Sequence, residues 1–133
     1  MTALIPIVPP ANKAAYDRFK FAPAVIVGGV IHVSGQVGRD PVTGKTPADL
    51  ESQIVNVFDN MQAVLTHAGA SFADVFSLNS YHVGDVGAQL TAFLAEKAKR
   101  MGEPHPAWTA VGVTGLAGPG MLLEVSALAI HKG

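Results

Sequence analysis

The sequence predicts an α+β fold in which two helices cover one face of a mixed sheet, with elements in the order ββαβαββ. Two observations carry this. Apolar residues recur at helical spacing in two stretches, and the β-rich runs around them are separated by glycine and proline turns. No repeat or low-complexity segment breaks the order, and 133 residues suit one domain, with residues 1–15 as an N-terminal extension.

The elements follow in turn. Residues 24–27 (AVIV) and 30–35 (VIHVSG) flank Gly28-Gly29, which suits the positive φ angles of a tight hairpin. RDPVTGK at 39–45 reads as a loop. A helix then begins at Thr46, the expected cap, with Pro47 in the first helical position and Asp49 where a capping-box acid belongs. Its stripe is Leu50, Ile54, Val57, Phe58, Met61, Val64, Leu65 and Ala68, and Gly69 ends it. Residues 75–83 (VFSLNSYHV) read as a strand. Asp85 caps a second helix with Leu90, Phe93, Leu94, Ala98 and Met101 on one face. Lys97, Lys99 and Arg100 crowd its last turn, a solvated end matched to the helix dipole. Strands at 107–113 and 121–130 complete a four- or five-stranded sheet.

The last strand shows that the second sheet face is not covered. Met121, Leu123, Val125, Ala127 and Ala129 point one way, and Leu122, Glu124, Ser126, Leu128 and Ile130 the other. Both sets are largely apolar, yet helices exist for only one. Composition agrees. Hydrophobic residues make up 49% and charged residues 14%, against a usual charged share of about 25%. Too few charges are present to coat an isolated globule, so partner subunits are expected on the bare face. Glu124 is a lone carboxylate there, a costly placement unless it is paired or functional. Trp108, with Ala110 and Gly112 on its side of the strand, is expected on that same face. It is either the wall of a pocket or interface packing.

Several chemistries are disfavoured. There is no cysteine, which removes disulfides and thiolate sites. His32, His67, His82, His105 and His131 lack HxxxH spacing, so no metal is expected, although His82 or His105 could edge a cleft. GLAGPG has no following lysine or helix and is not a phosphate loop. Ser-His-Asp chemistry has no local support. Nine basic residues against ten acidic give a net charge of −1 with no basic run, which argues against nucleic acid and against ribonuclease activity. No apolar run spans a membrane and no signal peptide is legible, so a cytoplasmic protein is expected.

VSGQVGRDPVTG (33–44), AGASFADV (68–75), PAWTAVGV (106–113) and LLEVSALAI (122–130) resemble the RidA (YjgF) family of reactive-intermediate (enamine/imine) deaminases. The likeness runs from about residue 16 to the end. It implies a chorismate-mutase-like fold and a homotrimer whose inter-subunit clefts bind small carboxylate-bearing molecules. It also implies hydrolysis of a 2-imino or 2-aminoacrylate-type acid to a keto acid and ammonia, with no metal or organic cofactor.

Carried over residue by residue, the resemblance sets Trp108 where the deaminases have an arginine that clamps the substrate carboxylate. Indole has one N–H and no charge, so it cannot replace a bidentate guanidinium. Phe21 stands for a tyrosine and Ala110 for a cysteine. Ser34 and Glu124 are retained. Glu124 is then the candidate acid or base, unless it is an ion-paired interface carboxylate. Ser34 either serves the site or the turn after its strand. Phe21 is either core or contact. Arg18 and Lys20, beside Phe21, are candidates to supply the missing positive charge. An aromatic or larger apolar acid suits Trp108 and Phe21. The alternative is a trimer that binds a ligand without turning it over.

Overall fold

The computed structural model describes residues 3–133. Its sheet contains β1 (Ile5–Ile7), β2 (Ala24–Val27), β3 (Val30–Val37), β4 (Val75–Val83), β5 (Ala107–Val113) and β6 (Leu123–Ile130). The helices are α1 (Lys13–Phe19), α2 (Leu50–His67) and α3 (Val86–Arg100). The sheet is six-stranded in the order β1-β2-β3-β6-β4-β5, and only β4 and β5 run parallel. Strand β1 and helix α1 are additions to the expected order. The N-terminal extension joins the sheet: Ile5 pairs with Ile26 and Ile7 with Ala24, which widens it by one strand. Residues 1 and 2 of that segment lie outside the described residues.

The hairpin between β2 and β3 turns on Gly28 (φ 56°) and Gly29 (φ 81°), left-handed values that glycine adopts without a Cβ clash. Helix α1 ends on Lys20 at φ 63°, a position usually given to glycine; the strain for a residue with a side chain is about 1 kcal/mol.

Helix α2 begins three residues later than its sequence suggests. Asp49, not Thr46, is the cap, and its carboxylate accepts the Ser52 N–H at 2.9 Å. The stripe is as expected: Ile54, Val57, Phe58, Met61, Val64 and Leu65 are buried. Gln53 is fully buried with them. Its amide N–H groups donate to the carbonyls of Pro47 (2.7 Å) and Gly120 (2.8 Å), and its Oε1 accepts the Leu122 N–H (2.9 Å). Asn60 adds bonds to the carbonyls of Val37 and Arg39, both at 2.9 Å. These amides fix the helix at one depth and register over the loops it crosses.

Helix α3 starts at Asp85 as expected, with the cap accepting the Gly87 N–H. Its inward face differs. Gln89 and Phe93 are buried, whereas Leu94 is 46% exposed and Ala98 is exposed. The core lies between the two long helices and one sheet face, around Ile31, Val33, Phe58, Leu78, Phe93, Leu123 and Val125. On β6 the expected alternation holds: Leu123, Val125, Ala127 and Ala129 are buried, and the intervening residues face away from the helices. The bare face carries Glu124, Ser126 and Leu128 with their cross-strand neighbours Tyr81, Asn79 and Ser77.

Candidate functional site

Glu124 is the acid of the bare face. Val37 on β3 and Tyr81 on β4 are its direct cross-strand partners. The register of β3 slips between Val33 and Gln36, a bulge that places Gly35 beneath the carboxyl group. A methyl added at Gly35 would lie 2.5 Å from Glu124 Cδ and 2.6 Å from Oε2, so only glycine leaves that carboxyl its place. The group is half-buried, and burial raises its pKa with no hydrogen bond or charge to offset it. No salt bridge involves Glu124 among the described residues. A proton therefore stays on it more readily than on an ordinary carboxyl group. A carboxyl group of this kind can accept a proton from water and return it to a leaving nitrogen.

The bulge also ties Glu124 to the segment after α1. The Ser34 hydroxyl donates to the Ala22 carbonyl (2.7 Å), and the Ser34 N–H to the Pro23 carbonyl (2.9 Å). Ser34 thus spends its donor on holding the chain beside Phe21. Phe21 is 52% exposed, not core, and shares a groove of about 410 Å³ with Leu4, Pro6, Tyr16, Lys20 and Val25. Arg18 does not line that groove; its guanidinium lies 5.1 Å from the Phe19 ring centre.

Trp108 is not on the face of Glu124. It pairs with Leu78, which is buried under the helices, and its ring stacks on Phe93 of α3 with centroids 5.6 Å apart. Lys97 stands over the ring at 5.4 Å, so this lysine is not simply solvated. Ala110, opposite Ser80, lies on the same side. The expectation of a shared bare face fails for a physical reason. Strand β5 is apolar on both sides, so its alternation does not say which side turns inward, and the Phe93 ring decides it.

That inward side contains a polar chain the sequence did not reveal. Trp108 Nε1–H donates to Ser80 Oγ (2.9 Å), Ser80 meets His82 Nε2 (2.8 Å), and His82 Nδ1 meets Gln89 Oε1 (2.8 Å). Gln89 Nε2 donates to the carbonyls of Val83 and Leu122, so its Oε1 must accept. His82 therefore carries its proton on Nδ1, and the Ser80 hydroxyl donates to Nε2. A hydroxyl, an imidazole and an orienting group in this order form the pattern of an activated nucleophile. Here Ser80 and His82 are both fully buried, so the chain closes the interior and admits no substrate. His82 does not reach a cleft. His105 is exposed in the loop before β5. No group of three or more metal-ligating side chains occurs among the described residues.

A bulged sheet with two long helices on one face and an acid on the other defines an α+β protein of the chorismate-mutase-like class. Comparison with known proteins then places it: the chain belongs to the RidA/YjgF family, and the family model described as Endoribonuclease L-PSP matches residues 12–131. It is 34% identical over 113 residues to the RutC family protein YjgH of Escherichia coli K12, covering 84% of this chain and 85% of that protein. The solved structure of protein YjgH superposes with a TM-score of 0.82 at 32% identity, covering 94% of each chain. The 2-iminobutanoate/2-iminopropanoate deaminase of E. coli K12 is 29% identical over 117 residues, covering 84% of this chain and 88% of the deaminase.

Proposed function

We propose that this protein is a hydrolytic deaminase of small carboxylate-bearing imines or enamines, working as a homotrimer with its sites at the seams between subunits. The observation that carries this reading is Glu124: a half-buried carboxyl group with a raised pKa that, among the described residues, has no partner to hold its charge and stands on the sheet face away from the helices. In the proposed reaction Glu124 takes a proton from water as the oxygen bonds to the C=N carbon. It passes that proton to the nitrogen, giving a carbinolamine, and then relays the remaining hydroxyl proton to the same nitrogen as the C–N bond breaks, leaving a 2-keto acid and ammonia. No cofactor is required. The family relation and the deaminase relative support this chemistry.

Recognition differs from that of an arginine-clamped site. Trp108 and Ala110 face the helix side of their own subunit, so neither meets Glu124 within one chain. The positive charge falls instead to Lys20, next to Phe21. The same observation about Trp108 favours a second reading, a trimer that binds carboxylates without turning them over.

The two are separated by supplying 2-imino acids generated in situ by an amino-acid oxidase and following keto-acid release. Release faster than in buffer, lost in Glu124→Gln, supports the deaminase. No acceleration for any side chain, with carboxylate binding retained, selects the binder.

A further inference from the structure

We infer that Tyr81 is the working partner of Glu124: the phenolic oxygen and the carboxyl group hold one water between them, with a lone pair of that water aimed at the substrate carbon. The inference rests on the reading above for the reaction, and it adds a residue that orients the water Glu124 deprotonates.

The register of the sheet brings the two groups together. Tyr81 on β4 stands directly opposite Glu124 on β6. Directly opposed residues of an antiparallel pair have Cβ atoms about 4.5–5.5 Å apart on one face. Ser80 and His82, on either side of Tyr81, are fully buried against the helices, so Tyr81 projects from the bare face with the acid. The flanking residues of that cross-strand row, Val37 of β3 and Val111 of β5, are aliphatic. The phenol and the carboxyl group are thus the polar side chains of their row. Burial is the one cause that lifts the Glu124 pKa, so the carboxyl group takes no hydrogen bond from the phenol within the chain. Two polar groups that face each other without bonding suit a bridging water.

The buried polar chain fixes this pair from behind. Ser80 and His82 bracket Tyr81 and are tied to Trp108 of β5 and Gln89 of α3. Gln89 also donates to the carbonyl of Leu122, two residues before Glu124, and Gln53 accepts the Leu122 N–H. Both strands are therefore anchored from the helix side, one beside the phenol and one beside the acid. The hydroxyl–imidazole pair that admits no substrate gains a role in this way: it holds the backbones that present Tyr81 and Glu124 at a set separation.

In the reaction Glu124 takes one hydrogen of the water as a proton, and the phenolic oxygen accepts the other as a hydrogen bond. The lone pair then forms the bond to the C=N carbon. No bond to Tyr81 forms or breaks, and the hydrogen held at its oxygen is the one Glu124 later relays to nitrogen.

The test compares full-length wild type with Tyr81→Phe, which keeps the ring and removes the hydroxyl. Sedimentation and the urea midpoint are expected to stay unchanged. Hydrolysis of 2-imino acids generated in situ should lose about tenfold or more in kcat, with KM moved much less, because the hydroxyl orients water and not substrate. A second readout needs no turnover. Carbon NMR of glutamate-labelled protein, with Glu124→Gln to assign the signal, follows the Glu124 carboxyl group. It should titrate at higher pH in Tyr81→Phe, because the carboxylate loses a polar neighbour. A wild-type kcat in Tyr81→Phe, or a change in KM alone, overturns the inference and leaves the deaminase. A Glu124 titration indifferent to Tyr81→Phe overturns it whatever the activity. A wild type that hydrolyses no imino acid, with a Glu124 titration that still depends on the Tyr81 hydroxyl, sinks the deaminase and leaves the pair.

Discussion

Glu124 and Gly35 act as one unit, because the carboxyl group occupies the space a Cβ would take. Gly35→Ala is therefore expected to push a flexible side chain aside at a cost of about 1 kcal/mol or less, while moving the acid from its place. Imino-acid hydrolysis should fall with little change in the urea midpoint. Loss of both together would show that Gly35 serves folding instead. The buried acid also has a pH signature. Its pKa is raised in the folded chain, so between the unfolded and folded values the folded state binds more protons. Its contribution to stability is full below the ordinary carboxyl range and is lost as pH rises through the raised value. Denaturation of Glu124→Gln is expected to show greater stability than wild type at neutral pH and a smaller difference at acid pH. A constant difference across that range would contradict the burial argument.

Elements were legible where one physical signal dominated. The stripe from Ile54 to Leu65 could only be a one-sided helix, and Gly28-Gly29 could only be a tight turn. The start of α2 is not legible in the sequence because Thr46 and Asp49 are both good caps, and the choice between them rests on which backbone enters the helix. Gln53 gave no signal at all: a polar residue in an apolar stripe looks solvent-facing until its three backbone partners are assembled from distant loops. Gln53→Leu removes three hydrogen bonds to partly buried backbone groups, two carbonyls and one N–H, and should cost about 2–3 kcal/mol in chemical denaturation. Strand β5 misled in another way. With Trp108, Ala110, Val111 and Val113 all apolar or small, either face could turn inward. Since the indole packs on Phe93, Trp108→Arg is expected to bury a guanidinium against the core. It should lower stability by about 2–4 kcal/mol and would not restore a substrate clamp facing Glu124. A variant that remains as stable as wild type and gains hydrolysis would reverse this view.

For the whole molecule, the fold class, the order of the long elements and the acid of the bare face could all be read before any coordinates. The added strand could not, because Ile5–Ile7 is too short to announce itself and pairs only once β2 is in place. Neither could the groove that joins Leu4 and Pro6 to Phe21 across the chain. Among the described residues, no helix is long and apolar enough to cross a membrane. The bare face, with Leu128 and Val111 beside Glu124 and Tyr81, is the surface on which assembly is proposed. Sedimentation is expected to give about three times the 13.8 kDa of one chain, and Leu128→Asp should dissociate it. A lone protomer in wild type would remove the seam from the proposed mechanism.

The single indole carries one more consequence. Its N–H is tethered to Ser80 and its ring lies against Phe93 and Lys97 of α3, so its environment depends on β5 staying closed against α3. With no other tryptophan to obscure it, its emission would follow the opening of that sheet edge in unlabelled protein, separately from events at the opposite side of the sheet.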